Sequence, residues 1–258
     1  MKTIGVIPAH MASVRFPKKI LFNIHGLPMI EHVRRRALLS KELADVFVAT
    51  CDIEIANTIK SYNGKVIMTS NNHNNGTSRV AEAVKKFDCT HILLLQGDEP
   101  LLLPRHIDKV VNAMKLNPNV DSWNATGDIN SEDELNRNSF VKCTVLKDGK
   151  ILNCFRKTPY TSELKTQQKF VRKILGVIGY KRDFLIKINK VSSSEIELAE
   201  FMEQMRIIEN GYNLYSVAVE PSVASINEPH EADIVLNYLK NNVEQQLLLK
   251  KILEIEYK

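Results

Sequence analysis

The stretch DVFVATCDIEIANTIKSYNGKVIMTS, Asp45 to Ser70, decides the fold. DVFVATC is a short, nearly continuous apolar run, IEIANTIKSYNG reads as a helix closed by Gly64, and KVIMTS is apolar again. Strand, helix and strand with a crossover of that length imply parallel pairing and a right-handed connection. Reading outward, the same alternation fills the first hundred residues. TIGVIPA is a buried-type strand, and GLPMIEHVRRRALLSK is a helix with Pro28 at its start and Ile30, Val33 and Ala37 at helical spacing. TSRVAEAVKKF is a further helix, and HILLLQGD a further strand. The expected fold class is α/β: a Rossmann-like, mostly parallel sheet flanked by helices, with a smaller lobe.

The second half is less regular. FVKCTVLKDGKILNCF reads as a hairpin around KDGK, and ILGVIGYK and NLYSVAV as strands. SSSEIELAEFMEQMRIIENG reads as one helix with a Ser194/Glu197 capping box, an apolar stripe of Ile196, Phe201, Met205 and Ile208, and a stop at Gly211. From Glu231 to Lys258, Val235, Leu239, Val243, Leu247, Leu248 and Ile252 mark one long amphipathic helix. No repeat, low-complexity tract or Pro/Gly-rich linker interrupts the chain. The expected organisation is one domain over 1–258, with an α/β core at 1–118, a subsidiary lobe at 119–225 and a C-terminal helical segment at 226–258.

Composition narrows the function classes. The 258 residues carry a net charge of +5, from 35 basic against 30 acidic side chains. So small and dispersed an excess fits an anionic small ligand and not nucleic acid, which calls for a concentrated basic stripe. The cysteines Cys51, Cys89, Cys143 and Cys154 have no CxxC spacing and read as free thiols of a reducing cytoplasm. No window approaches the roughly 20 apolar residues of a membrane span, so no membrane insertion is expected.

In doubly wound sheets ligands sit at the carboxyl ends of the strands, which makes PAHMASVR, TSNNHNNGTSR and QGDEP neighbours. In the first, small residues at Ala9, Ala12 and Ser13 let backbone N–H groups approach a phosphate chain, and Arg15 and Lys19 supply charge; a solvated basic turn explains the segment alone equally well. In the third, Asp98 ends a buried strand, where a carboxylate facing a polyphosphate can hold Mg²⁺ or simply cap the next helix near Pro104. In the second, Gly76 allows close backbone approach, Thr77 or Ser78 could cap a helix, and Arg79 sits in its first turn. Neither GxxxxGK[ST] nor GxGxxG is present, and HExxH, GxSxG and paired His/Cys spacings are also missing. A P-loop kinase, a dinucleotide-dependent dehydrogenase and covalent nucleophilic catalysis are thereby set aside.

Taken together these segments resemble the 3-deoxy-manno-octulosonate (Kdo) cytidylyltransferases, within the wider group of CMP-sugar-acid synthetases. The resemblance extends through GLPMIEHVRRRA, LLLQGDEPL, GVIGYKRDFL, EFMEQMRIIENG and INEPHEAD. It implies that the anomeric hydroxyl of a 3-deoxy-2-ulosonic acid attacks the α-phosphate of CTP with Mg²⁺ as cofactor. Pyrophosphate leaves, and the CMP-linked acid feeds lipopolysaccharide or capsule synthesis in the cytoplasm. By position it makes Arg15, Lys19 and Asp98 catalytic and gives Pro8, Ala9, His10, Ser13, Gly76, Arg79 and Gln96 to the nucleotide. Arg156, Tyr180, Glu203 and Gln204 fall to the sugar acid, Asp98 and Asn227 to the metal, and the family habit of homodimers is implied as well.

Five positions depart from the family pattern. His10 stands for an arginine, Cys51 for an aspartate with Asp52 one step along, and Asn227 for an aspartate of the metal site, with Glu228 beside it. Ile174 and Ile178 stand for a histidine and a tyrosine of the sugar pocket. The isoleucines point toward a different acid (amino-substituted, nonulosonic or phosphonate). His10 and Asn227 raise the alternative of a nucleotide-binding scaffold without catalysis, against which the joint presence of Arg15, Lys19 and Asp98 argues.

Overall fold

The structure is a computed structural model that describes residues 1–255. It divides into two compact units, residues 1–108 with 223–255 and residues 109–222. In the first, strands β1 (Thr3–Ala9), β2 (Asp45–Thr50), β3 (Lys65–Met68) and β4 (His91–Leu95) form a wholly parallel sheet in the order β4-β1-β2-β3. Helices α1 (Met29–Leu38), α2 (Ile53–Ser61) and α3 (Gly76–Ala83) connect them, so the crossovers expected from Asp45–Ser70 are present. Strand β1 has neighbours on both edges and all seven of its residues are buried, which is why its sequence does not alternate.

Helix α4 (Pro104–Leu116) leads into the second unit. There β5 (Ser122–Gly127), β6 (Lys142–Val145), β7 (Ile151–Phe155), β8 (Val171–Lys181) and β9 (Leu214–Ala218) pair in the order β9-β5-β8-β6-β7. Only the β9/β5 pair is parallel; β6 and β7 are the hairpin read around KDGK. Helices α5 (Glu132–Asn136) and α6 (Leu164–Gln167) lie near this hairpin in sequence. Ile129, Leu135, Phe155 and Val171 form a small core beneath Tyr160, Leu164 and Phe170. After α7 (Arg182–Ile188), the expected single helix of 192–211 is instead two, α8 (Glu195–Glu200) and α9 (Gln204–Glu209). The break is Phe201, at φ 55°, a left-handed conformation that closes α8 as a C-terminal cap would. The expected apolar stripe therefore does not exist as one surface, with Met205 buried and Ile196 and Phe201 exposed. Glu197 does accept from the Ser194 N–H at 3.2 Å, as the capping box requires.

The C-terminal segment returns to the first unit, also as two helices, α10 (Pro229–Asn241) and α11 (Val243–Leu253); the expected helix positions 256–258 lie outside the described residues. Asn242 leaves helical conformation and caps α11 by accepting from the Gln245 N–H at 3.0 Å. Three contacts tie α11 down. Gln245 Nε2 donates to the Leu101 carbonyl at 2.9 Å, Arg35 Nη1 to that of Ile252 at 2.5 Å, and Arg105 makes a two-point ion pair with Glu244 at 2.8 and 2.9 Å. Among the described residues no helix is long and apolar enough to cross a membrane.

Candidate active site

In the first unit, the loops after β1, β3 and β4 all leave carboxyl ends of strands of the one parallel sheet. Pro8 and Ala9 end β1 in buried positions, and the chain turns immediately, with the Ser13 N–H donating to the Met11 carbonyl at 2.9 Å. The turn is held from outside by Asp52, whose Oδ2 accepts from the Met11 N–H at 2.9 Å. Although Asp52 stands at the N-cap of α2, its side chain makes no cap bond. The sequence marked Asp52 only as the neighbour of Cys51; its grip on a loop 41 residues earlier has no local signature.

Lys19 is the centre of the site. Its Nζ donates to Asp98 Oδ2 at 2.6 Å, to the Ile226 carbonyl at 3.1 Å and to Asn227 Oδ1 at 3.5 Å. Asp98 is fixed in turn, its carbonyl accepting from the Ile226 N–H at 2.9 Å. Gly97 beside it admits the close approach, because a Cβ there would lie 2.7 Å from Ile20 Cδ1. Three oxygens of different chemistry thus converge on one cation. Asp98 does not serve as a helix cap; its carboxylate is paired with Lys19, and α4 begins six residues later.

Arg15 is exposed, 3.6 Å from Glu228 Oε1. Glu228 Oε2 lies 3.6 Å from His230 Nδ1, and Glu231 Oε2 accepts from the N–H groups of Asn227 at 2.6 Å and Glu228 at 3.0 Å. His10, exposed at the end of β1, is pushed below the ordinary histidine range, first by desolvation and then by the positive charge of Arg79; Lys19 adds to this, against Asp52 and Asp98. At neutral pH it is therefore an uncharged imidazole.

The loop after β3 is organised by α3. Asn75, not Thr77 or Ser78, is its cap, accepting from the Ser78 N–H at 2.8 Å. Gly76 presses against the first loop: a Cβ there would lie 3.1 Å from Pro8 Cγ and 3.7 Å from Gln96 Nε2. Arg79 is buried and braces the loop, donating to Thr69 Oγ1 at 2.7 Å and to the Ser70 carbonyl at 3.2 Å. Pro8, Gly76 and Gln96 are thus brought together, as are Lys19, Asp98 and Asn227, while the guanidinium of Arg79 is spent on the protein's own backbone and on Thr69.

In the second unit, Arg156 donates to the carbonyls of Glu200 at 2.9 Å, Asn138 at 2.9 Å and Phe201 at 3.5 Å. That places it at the C-terminal end of α8, next to the turn that carries Glu203 and Gln204. Gln204 Nε2 donates to Asn124 Oδ1 at 3.1 Å, and Tyr180 is buried on β8 opposite Ser122. Ile174 and Ile178 flank a register shift in β8, with Ile178 buried.

Comparison with known proteins gives one consistent picture. A family model described as cytidylyltransferase matches residues 4–219. The chain is similar to a 3-deoxy-manno-octulosonate cytidylyltransferase of Fusobacterium nucleatum, 34% identical over 94% of this chain and 98% of the relative. A protein of the same name from Thermodesulfovibrio yellowstonii is 35% identical over 91% of this chain and 96% of its own length. Among solved structures, a CMP:2-keto-3-deoxy-manno-octonic acid synthetase in complex with CTP superposes with a TM-score of 0.87, at 32% identity, over 94% of this chain and all of that one.

Proposed function

The chain belongs to the cytidylyltransferase family, and from that premise we propose that it transfers CMP from CTP to the anomeric hydroxyl of a 3-deoxy-2-ulosonic acid, Kdo or a close relative, releasing pyrophosphate. The observation that carries this reading is the convergence of Lys19, Asp98 and Asn227 at the carboxyl end of the parallel sheet. Displacement at phosphorus requires positioning and neutralisation of charge, which such a cluster supplies without a covalent intermediate. The loop from Ala9 to Ser13, whose Met11 and Ser13 N–H groups are bonded within the protein, would wrap the triphosphate; Arg15 and Lys19 stabilise charge on the departing pyrophosphate. Pro8, Gly76 and Gln96 form a face for the nucleoside, with Arg79 holding that face in place.

The atoms that accept from Lys19 Nζ are all oxygens: one carboxylate, one amide and one backbone carbonyl. Such hard donors suit Mg²⁺, which takes few protein ligands and is completed by phosphates. Asp98 and Asn227 would hold the ion, which when bound would neutralise phosphate charge. With an amide at 227 the protein contributes one formal negative charge from this pair, and Glu228 lies beside Arg15 instead of completing it. In the second unit Arg156, Tyr180, Glu203 and Gln204 would receive the sugar acid, within a lobe at 119–225 that also serves dimerisation, for lipopolysaccharide or capsule synthesis in the cytoplasm.

A second reading, the same chemistry on a different acid, is favoured by Ile174 and Ile178. Apolar side chains there leave polar groups of Kdo unpaired, at about 1–3 kcal/mol for each one buried. Pyrophosphate release from CTP across a panel of sugar acids, with and without Mg²⁺, separates the readings. Turnover with Kdo is expected, and preference for another acid selects the second reading. Tight CTP binding without turnover on any acid refutes both.

A further inference from the structure

Helix α11 is packed the wrong way round for a helix held by its apolar residues. Of its eleven residues the buried ones are Gln245 and Ile252, while Val243 and Leu247 are 69% and 59% exposed. A buried amide costs free energy unless it is bonded, so a polar inward face calls for a specific partner. That partner is the Leu101 carbonyl, which accepts from Gln245 Nε2 at 2.9 Å. Leu101 lies three residues after Asp98, in the irregular, buried stretch that joins β4 to α4, where carbonyls have no ladder to join. Their donors are spread along the chain. The Asp98 carbonyl accepts from the Ile226 N–H at 2.9 Å, that of Glu99 from the Leu102 N–H at 3.0 Å, and that of Leu102 from Arg36 Nη1 at 3.2 Å. Arg36, near the end of α1, is fully buried, and its Nε and Nη2 have no hydrogen-bond partner among the described residues. Burial pulls its pKa down to about 10, against the charge of Glu244 on α11. The first turn of α11 thus brings both the donor for Leu101 and the negative charge that offsets the burial of Arg36.

We propose that Gln245 is a positioning residue for the reaction: through the Leu101 carbonyl, α11 holds the turn that carries Asp98 and so sets the affinity of the site for CTP with Mg²⁺. This rests on the proposed function. The family model stops at residue 219, so α11 lies outside the matched stretch. Gln245 acts on the backbone that follows Asp98, while Ile226 holds the backbone at Asp98 itself and Lys19 its carboxylate. Pro100, between the two anchored carbonyls, has a fixed φ and little freedom to absorb movement, so a shift at Leu101 is passed back toward Asp98. Coupling of this kind is reciprocal: whatever α11 adds to the affinity for CTP and Mg²⁺, the bound pair returns to the docking of α11.

The test is isothermal titration calorimetry of CTP into the full chain, with and without Mg²⁺ and in the absence of acid, for the parent protein, Gln245→Leu, Arg36→Met and Ile59→Val. Gln245→Leu stays close in size and removes the donor. It should weaken CTP binding with Mg²⁺ at least about fivefold, and binding without Mg²⁺ by less than about twofold. Arg36→Met, which removes the donor to the neighbouring carbonyl, should act in the same direction. Ile59→Val trims a fully buried side chain of α2 and controls for loss of stability alone; it should leave both affinities unchanged. Hydrogen exchange in the parent supplies a readout that needs no variant: saturating CTP and Mg²⁺ should slow exchange at the Leu102 amide and across 243–253. Unchanged affinity with Mg²⁺ in Gln245→Leu, a loss as large without Mg²⁺ or in Ile59→Val, or exchange in α11 indifferent to the bound nucleotide overturns the proposal. A parent that shows this coupling but turns over no acid refutes the proposed function instead, and the two failures are distinct.

Discussion

Changing Asp98 to Asn removes one charge and keeps one acceptor, so it separates the observed role of this carboxylate, pairing with Lys19, from its proposed one, holding Mg²⁺. As counter-ion, Asp98 meets Lys19 Nζ at 2.6 Å, with side chains 23% and 16% exposed respectively. A hydrogen bond to a charged group in so sheltered a place contributes about 2 kcal/mol. For a chain of this size its loss lowers the melting temperature by about 4–8 °C. As the proposed metal ligand, Asp98 would contribute to neutralising charge at phosphorus, worth several kcal/mol, and a loss of about 4 kcal/mol is a rate reduction of roughly a thousandfold. Calorimetry reads the first quantity and pyrophosphate release under Mg²⁺ titration the second. Turnover within tenfold of the parent, alongside the expected drop in melting temperature, would show that Asp98 is a counter-ion only and would refute its assignment to the metal.

Asn227→Asp restores a carboxylate facing the same cation and should lower the Mg²⁺ concentration needed for half-maximal rate; an unchanged metal profile would place the second ligand elsewhere. His32 is fully buried, with Nε2 2.6 Å from the Ile24 carbonyl, and burial lowers its pKa to about 4. The folded state therefore binds its proton less readily than the unfolded chain, and stability is lost as pH falls from the unfolded value near 6.5 toward 4. Between pH 7.5 and 5 the loss is about 2 kcal/mol, readable by urea denaturation and flattened in His32→Gln. Phe201→Gly should raise stability by about 1 kcal/mol, since the ring is 84% exposed and the left-handed backbone favours glycine; a lower melting temperature would mean that the ring packs against something in solution.

The parallel core was legible because every crossover carried both of its signals, an apolar run and a helical period, and because strand ends in such a sheet gather ligands wherever they fall in the chain. Pro8, Gly76 and Gln96 come together for that reason. The two broken helices were not legible. Phe201 adopts a conformation its own side chain disfavours, and Asn242 interrupts a pattern whose apolar spacing continues across it. The burial of Lys142 was not legible for another reason: a lysine in a hairpin strand reads as solvent-facing, yet this one is fully buried with its Nζ donating to the Arg137 carbonyl. Asp52 and Met11 meet through tertiary contact alone, which no local window can contain.

The cradle around Lys19 is closed by Ile226 and Asn227, which lie 207 and 208 residues further along the chain. In a chain still emerging from the ribosome, the four parallel strands and the loop after β1 are all synthesised long before those two residues. Until then Lys19 and Asp98 lack the Ile226 backbone that both bond in the complete chain. The cation and triphosphate proposed for this cradle would therefore find it complete only late in synthesis. A protein cut after Ser222 should regain it from a separately supplied 223–258 peptide, or not at all.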